Sequence, residues 1–241
     1  MAPMAGITNA DFCLKLIPYG FDMVTLGGYN ADNLTATAGK KMIKRGRPEF
    51  DIEPQKLPHI IKKESEKIKK YYSNVLVSVN LRSVTPDPII KISKIKSIDI
   101  IEINAHCRQK EIIELGCGQA LLYDLDFLEE YVTEVVKKAH KPVSVKFRAN
   151  VPGVDEREVA SLLDDIGCDY IHFDAMKPGA DCADLNSVKK VSSAIKNAFL
   201  IGNNSIRDIK SARNMLKSGA DGISIARAAL GGKIDFDLKK I

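Results

Sequence analysis

The stretch PVSVKFRANVPGVDEREVASLLDDIGCDYIHF, residues 142–173, decides the fold. It begins and ends with short apolar runs typical of buried strands, the second at 170–173. Between them, four apolar residues recur at the spacing of one helix face: Val159, Leu162, Leu163 and Ile166. Asp155 and Glu158 are spaced as a capping box, and Gly167 supplies a stop signal. The stretch therefore predicts two parallel strands joined by a crossover helix.

The same alternation extends along the chain in both directions. Eight strands are predicted, at residues 1–4, 20–26, 74–81, 97–104, 142–147, 170–173, 198–202 and 222–226. The clearest helices are predicted at 125–139, 155–167, 185–197 and 205–219, the last with Ser205 and Asp208 as its capping box. Eight parallel strands with crossover helices predict an α/β fold, the (β/α)8 TIM barrel. No linker or low-complexity segment divides residues 1–241, so we expect a single domain.

Composition narrows the class of protein. The chain is 45% hydrophobic and contains no run of about 18 apolar residues, so no membrane span is expected. Its first residues lack the charged-then-apolar layout of a signal peptide. Five scattered cysteines include no C-x-x-C spacing, which argues against a metal site and favours reduced thiols in a cytoplasmic protein. A net charge of +5 permits an anionic ligand or RNA without requiring either.

Chemistry in a TIM barrel is carried by the carboxyl ends of the strands, and these ends are polar or small in the sequence. The strand-end residues are Met4–Gly6, Asn80, Asn104–Cys107, Lys146, Arg148, Asp174, Gly202–Asn204, Ala226 and Arg227. A thiol at such an end can act as a general acid, since its approximate reference pKa of 8.5 keeps it mostly protonated at neutral pH. A lysine on a buried strand needs a partner or a ligand, because burying a lone charge is costly.

Five ordered motifs resemble the flavin-dependent tRNA-dihydrouridine synthases. They are APMAGITNADF (2–12), EINAHCRQKEIIELGCGQALLYD (102–124), VSVKFR (143–148), IGNNSI (201–206) and ISIARAALGG (223–232). Related barrels, including dihydroorotate dehydrogenases, share parts of this pattern. The resemblance implies an FMN-dependent oxidoreductase that acts on a pyrimidine-type C=C bond, with NADPH or NADH as reductant. Family members carry a helical tRNA-binding domain after the barrel, and the sequence to Ile241 is expected to contain the barrel without it.

The resemblance also implies roles for individual residues. Cys107 matches the proton donor, and Lys146 matches the lysine at the pyrimidine edge of the flavin. Pro3, Met4 and Ala5 would lie along the flavin ring, and Asn80 stands where the family commonly has glutamine beside it. The phosphate would be held by the loops after the last two strands, at Gly202, Asn203, Asn204, Ala226 and Arg227, which is also where this fold ordinarily binds phosphate.

Substrate contacts are predicted at the remaining strand-end residues and their neighbours: Asn104, His106, Arg108, Arg148 and Asp174. His106 replaces a glycine of the family pattern and Arg108 a proline. The family's histidine on the sixth strand aligns with Asp174, while His172 lies two residues earlier with the same strand parity. His106 could assist proton transfer or cap the loop, and Asp174 could contact substrate or be a satisfied strand-end carboxylate. Four cysteines are interpreted as packing residues: Cys13, Cys117, Cys168 and Cys182.

Three functions stay open on the sequence. The first is dihydrouridine synthesis in tRNA, the second is oxidoreduction of a small pyrimidine such as dihydroorotate, and the third is a flavin- or RNA-binding barrel without catalysis. For RNA, the dense basic run KKMIKRGR, residues 40–47, offers phosphate contacts. The alternative interpretation of the basic run is a solvated loop.

Overall fold

A computed structural model describes residues 1–241, and it contains seven parallel strands in sequential order with helices between them. The strands are β1 (Met23–Asn30), β2 (Leu76–Arg82), β3 (Ile100–Asn104), β4 (Val143–Arg148), β5 (Tyr170–Asp174), β6 (Phe199–Asn203) and β7 (Gly222–Ser224). Nearly every residue of β2 to β6 is buried, as expected for a parallel sheet covered by helices. The predicted α/β barrel class is confirmed.

The count of eight strands is wrong by one. Residues 1–4 do not form a strand, but they still connect the two edges of the sheet. The Met1 carbonyl accepts from the Thr25 amide of β1 at 3.2 Å, and the Ala2 amide donates to the carbonyl of Ile225, directly after β7, at 3.0 Å. Two residues are too few for a ladder, so this segment bridges β1 and β7 without being a strand.

Nine α-helices accompany the strands. They are α1 (Ala10–Leu16), α2 (Asn33–Lys44), α3 (Leu57–Tyr71), α4 (Asp87–Ile92), α5 (Lys110–Ile113), α6 (Leu125–Lys138), α7 (Glu156–Ile166), α8 (Leu185–Ala194) and α9 (Ile209–Lys217). Short 3-10 helices cover residues 17–19, 118–123, 227–229 and 238–240. None of the helices combines the length and apolarity that crossing a bilayer requires.

Two details of the predicted helix starts change. Asp155 caps α7 and Gly167 ends it in the left-handed conformation as predicted, but the Asp155 side chain accepts from the Arg157 amide rather than forming a capping box with Glu158. The capping box of α9, however, is Asp208 with Ser211 rather than Ser205 with Asp208, because the helix starts later, at Ile209. The later start leaves Ser205 in the loop that follows β6.

The basic run is helical over Lys40–Lys44, so the interpretation as a loop is wrong for this part. A capping box between Asp32 and Thr35 starts α2, and Thr35, Ala38 and Met42 are buried along one side. This helix packs beside α5, which belongs to the loop after β3. The exposed lysines of the basic run therefore lie next to the carboxyl ends of the strands.

Register places the polar strand residues side by side. Asn80 of β2 is level with Glu102 of β3, which is level with Ser144 of β4. One step further along, Asn104 is level with Lys146. The fold therefore stacks polar side chains in the barrel interior and at its carboxyl end, where the site is found.

A candidate active site at the carboxyl end of the barrel

A cavity of about 510 Å³ opens where the strands end. Its volume lies in the range typical of small-molecule and cofactor sites. Every predicted site residue except Gly202 lines it: Pro3, Met4, Ala5, Asn80, Asn104, His106, Cys107, Arg108, Lys146, Arg148, Asp174, Asn203, Asn204, Ala226 and Arg227. The rule that strand ends carry the chemistry therefore located the cavity from sequence.

Gly202 does not line the cavity, and its predicted contact with phosphate stays a prediction. A side chain there would meet Met215 of α9 at 2.5 Å and Ala220 at 3.1 Å. The glycine allows α9 to pack closely on β6. The neighbouring residues Asn203 and Asn204 face the cavity instead.

A buried polar layer fills the barrel directly beneath the cavity, and Glu102 is its centre. The Glu102 carboxylate accepts from Asn80 Nδ2 at 2.8 Å, from Ser144 Oγ at 3.0 Å and from His172 Nδ1 at 2.7 Å. Burial by itself raises the pKa of Glu102, but the neighbouring His172, the charge of Lys146 and the hydrogen bond from Asn80 outweigh it and lower that pKa to about 2. Glu102 is therefore ionised at neutral pH.

Lys146 is attached to this layer through His172. Lys146 Nζ lies 2.8 Å from His172 Nε2, which also lies 2.6 Å from Ser224 Oγ. Burial, together with the Lys146 charge, lowers the pKa of His172 to about 4, so the imidazole is neutral and its Nε2 accepts. Burial also lowers the pKa of Lys146 to about 8, against the opposing pull of Glu102 and Asp174. Lys146 is therefore a buried amine at the floor of the cavity whose pKa lies close to neutral pH.

Asn104 shapes the loop that carries Cys107. Its Oδ1 accepts from the amides of His106 at 3.1 Å and Cys107 at 2.8 Å, and its Nδ2 donates to Asn80 Oδ1 at 2.8 Å. This arrangement turns the chain at the end of β3 and holds the thiol at the cavity wall. The close approach of Gly118, where a Cβ would meet the Cys107 carbonyl at 2.5 Å, fixes the other side of the loop.

His106 and Asp174 form a pair across the cavity. His106 Nε2 lies 2.6 Å from Asp174 Oδ2, and Asp174 Oδ1 accepts from Asn204 Nδ2 at 2.6 Å. Burial raises the pKa of Asp174, but His106, Lys146 and Asn204 together hold it well below its usual range. Burial lowers the pKa of His106, and Asp174 opposes that shift. A histidine from the loop after β3 thus meets the acid at the end of β5.

Arg82 is a site residue that the sequence reasoning missed. Its side chain is 1% exposed, and Nη1 lies 3.5 Å from Cys107 Sγ. Nη2 donates to the Gly28 carbonyl at 3.0 Å, and the guanidinium pairs with the fully buried carboxylate of Glu49. The available signal was strand parity, since Arg82 follows Asn80 by two residues and points to the same face. The predicted strand stopped at residue 81, one short of it.

The cavity suits an anionic ligand. Seven of its lining residues are Lys or Arg and one, Asp174, is acidic. Arg148 is 6% exposed, its side chain makes no hydrogen bond within the chain, and its buried Nε has no partner. A buried polar atom without a partner is costly unless a ligand satisfies it. The donor set therefore fits the FMN that the sequence resemblance implies.

The loops after β6 and β7 are joined at the wall predicted to hold phosphate. Asn203 Nδ2 donates to the Ser224 carbonyl at 2.8 Å. Asn204 and Ser205 adopt positive φ angles of 108° and 49°, an uncommon conformation for residues other than glycine. The following 3-10 helix begins at Arg227, whose exposed side chain lines the cavity.

The basic run is only partly free to bind RNA. Arg45 donates to both carboxylate oxygens of Glu111, at 2.9 and 3.0 Å, and Arg47 pairs with Glu49 at 3.1 Å. Lys40, Lys41 and Lys44 are exposed and form no salt bridge. The cations available to a phosphate backbone are therefore the α2 lysines rather than the two arginines.

Comparison with known proteins identifies relatives of this architecture. The sequence profile of the family described as dihydrouridine synthase (Dus) matches residues 52–233. An uncharacterized protein of Methanocaldococcus jannaschii is 39% identical over 98% of this chain and 90% of its own length. The tRNA-dihydrouridine synthase B of Pectobacterium carotovorum is 26% identical over 72% of this chain, which spans 57% of that protein.

Among solved structures, a ligand-free DHODH from Eimeria tenella is similar with a TM-score of 0.66. It is 12% identical in sequence, and the match covers 94% of this chain and 76% of that protein. At this identity the likeness concerns the fold alone, and it agrees with the barrel described above.

Proposed function

The chain belongs to the dihydrouridine synthase family and so is a flavin-dependent oxidoreductase acting on CH–CH groups, and we propose that it reduces uridine in tRNA to dihydrouridine, with Cys107 as proton donor. The observation that supports this proposal most directly is that the side chains it needs line the same cavity. A thiol, a buried lysine and an unpartnered arginine, namely Cys107, Lys146 and Arg148, line one cavity whose other charged residues are mostly cations.

FMN is the proposed cofactor, and the residues present suit it. Pro3, Met4 and Ala5 provide a small, partly apolar wall for a ring system, and Asn80 and Lys146 provide polar groups for its pyrimidine edge. Asn203, Asn204, Ala226 and Arg227 provide the wall proposed for its phosphate. When bound and reduced by NADPH or NADH, the flavin supplies the hydride that one carbon of the C=C bond receives.

Cys107 is proposed to supply the matching proton to the neighbouring carbon. Its amide is bonded to Asn104, so the thiol is held at the wall rather than moving with a free loop. General acid catalysis needs such a positioned donor. The apolar neighbours of Cys107 limit competition from water.

Lys146 is proposed to neutralise negative charge that develops at the cavity floor. A pKa of about 8 leaves the ammonium mostly protonated at neutral pH, and its contact with His172 fixes its position. A preorganised buried cation stabilises an anion far more than an exposed one does. The pair of His106 and Asp174 is proposed to orient the substrate base, because it stands beside Cys107 and presents both a ring and a carboxylate to the cavity.

The proposed RNA substrate has a simple test in cells. Mass spectrometry of tRNA from a deletion strain should show loss of dihydrouridine at one or more positions, with recovery when the parent gene is returned and no recovery with Cys107→Ala. Unchanged dihydrouridine content would remove the tRNA assignment. Flavin reoxidation by free dihydroorotate or uracil would then test the small-pyrimidine alternative.

RNA binding by the barrel has a separate test that uses the exposed lysines of α2. Changing Lys40, Lys41 and Lys44 to alanine should weaken tRNA binding and reduce its salt slope by about two to three units, at roughly 0.7–0.9 for each phosphate that the lysines neutralise. A matched variant changes the exposed residues Lys94, Lys96 and Lys137, which lie in the segments that lead into the amino ends of β3 and β4. Equal slopes for the two triple variants would contradict a role for α2.

A further inference from the structure

A buried guanidinium lies against the proposed proton donor, and nothing in the family resemblance accounts for it. Arg82 is fully enclosed at the end of β2, with Nη1 3.5 Å from Cys107 Sγ. Its Nε is buried without a partner. Burying an incompletely bonded charge is expensive, and apolar side chains of similar size would commonly serve stability as well or better. Stability alone therefore does not explain this residue.

The rest of the Cys107 environment cannot support a charged sulfur. The thiol belongs to a small apolar cluster with Ala38, Met42, Ile112 and Cys117. In such surroundings a thiolate without a cationic or hydrogen-bonding partner is strongly disfavoured. Arg82 is the side chain that donates to Cys107 Sγ.

We propose that Arg82 is the charge partner of Cys107, stabilising the thiolate that remains when the thiol gives up its proton, and that Glu49 moderates this effect. The inference rests on the proposed function for its place in the reaction. There the S–H bond breaks, the proton forms the new C–H bond, and the bonding pair stays on sulfur. The hydride, and with it both reducing electrons, comes from the reduced flavin, and solvent returns the proton to sulfur afterwards.

Glu49 explains how a cation can lie beside a thiol that must hold its proton until substrate arrives. Its carboxylate is fully buried, pairs with Arg82 and also accepts from Arg47 at 3.1 Å. Burial acts to lower the pKa of Arg82, but Cys107 and Glu49 outweigh it and hold that pKa above its usual value. The guanidinium is thus always charged, and the adjacent carboxylate offsets part of its field at sulfur.

The inference is tested by thiol reactivity, which requires neither substrate nor reductant. The thiolate is the reactive species, so the rate of alkylation follows its population. Neutral iodoacetamide is added at pH 7.5 to the protein in its purified form, after its flavin content has been measured. Alkylation of Cys107 is followed by quantitative mass spectrometry of its peptide. The exposed thiol of Cys182 is an internal reference in every sample.

Four proteins form a cycle: the parent, Arg82→Gln, Glu49→Gln and the double variant. We expect Arg82→Gln to slow Cys107 alkylation about tenfold, equivalent to about 1.4 kcal/mol. Glu49→Gln should accelerate it by about threefold or more, since it removes a nearby like charge. The double variant should fall between the parent and Arg82→Gln. Because it leaves no unpaired buried charge, it keeps the test available if Arg82→Gln does not fold.

The result that identifies a charge effect is that the two single variants change the alkylation rate of Cys107 in opposite directions. A general loosening of the loop would change both rates in the same direction. Arg213→Gln removes an exposed guanidinium from α9 and serves as the matched control. Arg82→Gln alkylation equal to that of the control, or single variants that move in the same direction, would overturn the inference. If the parent makes no dihydrouridine but the variants show this rank order of alkylation rates, only the proposed function is refuted. If the parent makes dihydrouridine and the rank order is absent, only the role of Arg82 is refuted.

Discussion

Replacing Glu102 by glutamine is expected to destabilise the protein by about 3 kcal/mol at neutral pH. The substitution keeps the size of the side chain but removes the anion that Asn80, Ser144 and His172 surround. Lys146 then lies in the barrel without its negative neighbour. The expected loss lies at the low end of the range for breaking a buried ion pair, about 3–5 kcal/mol.

The magnitude follows from the ionisation of Glu102 in the folded protein. Its pKa is lowered from 4.5 to about 2, although burial alone acts in the opposite direction. At about 1.4 kcal/mol per unit, this shift corresponds to about 3 kcal/mol of stabilisation by the carboxylate. The glutamine variant lacks this contribution at every pH.

The sign of the pH dependence follows from the depressed pKa. A carboxylate whose folded pKa is lowered stabilises the protein fully above its unfolded pKa, here 4.5, and loses that contribution as the pH falls toward about 2. The difference between parent and variant should therefore be smaller at pH 3.5 than at pH 7.

Urea unfolding followed by circular dichroism at the two pH values measures this difference. Glu134→Gln is the matched control, because Glu134 pairs with Lys138 on the surface of α6 at 2.8 Å. An exposed pair of this kind contributes little to stability, because solvent screens it. A Glu102→Gln loss no larger than that of the control, or one equal at both pH values, would refute the reasoning that an ionised Glu102 holds the layer together.

Three further predictions concern the cavity. Because burial lowers the pKa of Lys146 to about 8, its ammonium loses its proton as the pH rises through that value, and FMN affinity should fall between pH 7 and pH 9 in fluorescence titrations. Asp174→Asn removes the anion that raises the pKa of His106, so the titration midpoint of that imidazole, followed by proton NMR, should move lower. Gly118→Ala should lower the free energy of unfolding, measured by thermal melting, by about 1 kcal/mol or more beyond the effect of Gly116→Ala. Both glycines have positive φ, but only a Cβ at position 118 would meet other atoms, with the Cys107 carbonyl oxygen at 2.5 Å.

Each of these predictions has a contradicting result. A Lys146→Met variant that keeps the parent's pH dependence of FMN affinity would assign that dependence to another group. A His106 midpoint that does not change, or rises, in Asp174→Asn would show that the carboxylate does not stabilise the imidazolium. Equal melting temperatures for the two glycine variants would show that the loop carrying Cys107 accommodates the new Cβ without loss of stability.

Sequence reasoning located the cavity because that step needed only one structural rule. Polar residues at the ends of apolar strands must lie together if the strands are parallel neighbours in one barrel. Cys107, Lys146, Asp174 and Asn203 follow from that rule without any knowledge of side-chain contacts. Gly202 does not line the cavity although its neighbour Asn203 does, because adjacent residues of a strand face opposite ways.

Side-chain contacts between segments that are distant in the chain could not be predicted from the sequence. The groups that bond to Arg82 come from three separate parts of the chain: the Gly28 carbonyl from β1, Glu49 from the segment after α2 and Cys107 from the loop after β3. The pair of His106 and Asp174 likewise joins the ends of β3 and β5. The identity of a strand-end residue indicates that it faces the site, but it does not indicate which of several facing groups it contacts.

The sequence by itself determined the α/β barrel, the position of its site and the residue types that surround it, since hydrophobic periodicity and strand ends are local properties of the chain. Only the tertiary structure decided the partners and charge states of these residues. A hydrogen bond forms or fails over a few tenths of an ångström, and a pKa depends on burial and on every nearby charge. Both are set by where distant segments pack, and that information appears only when the barrel is assembled.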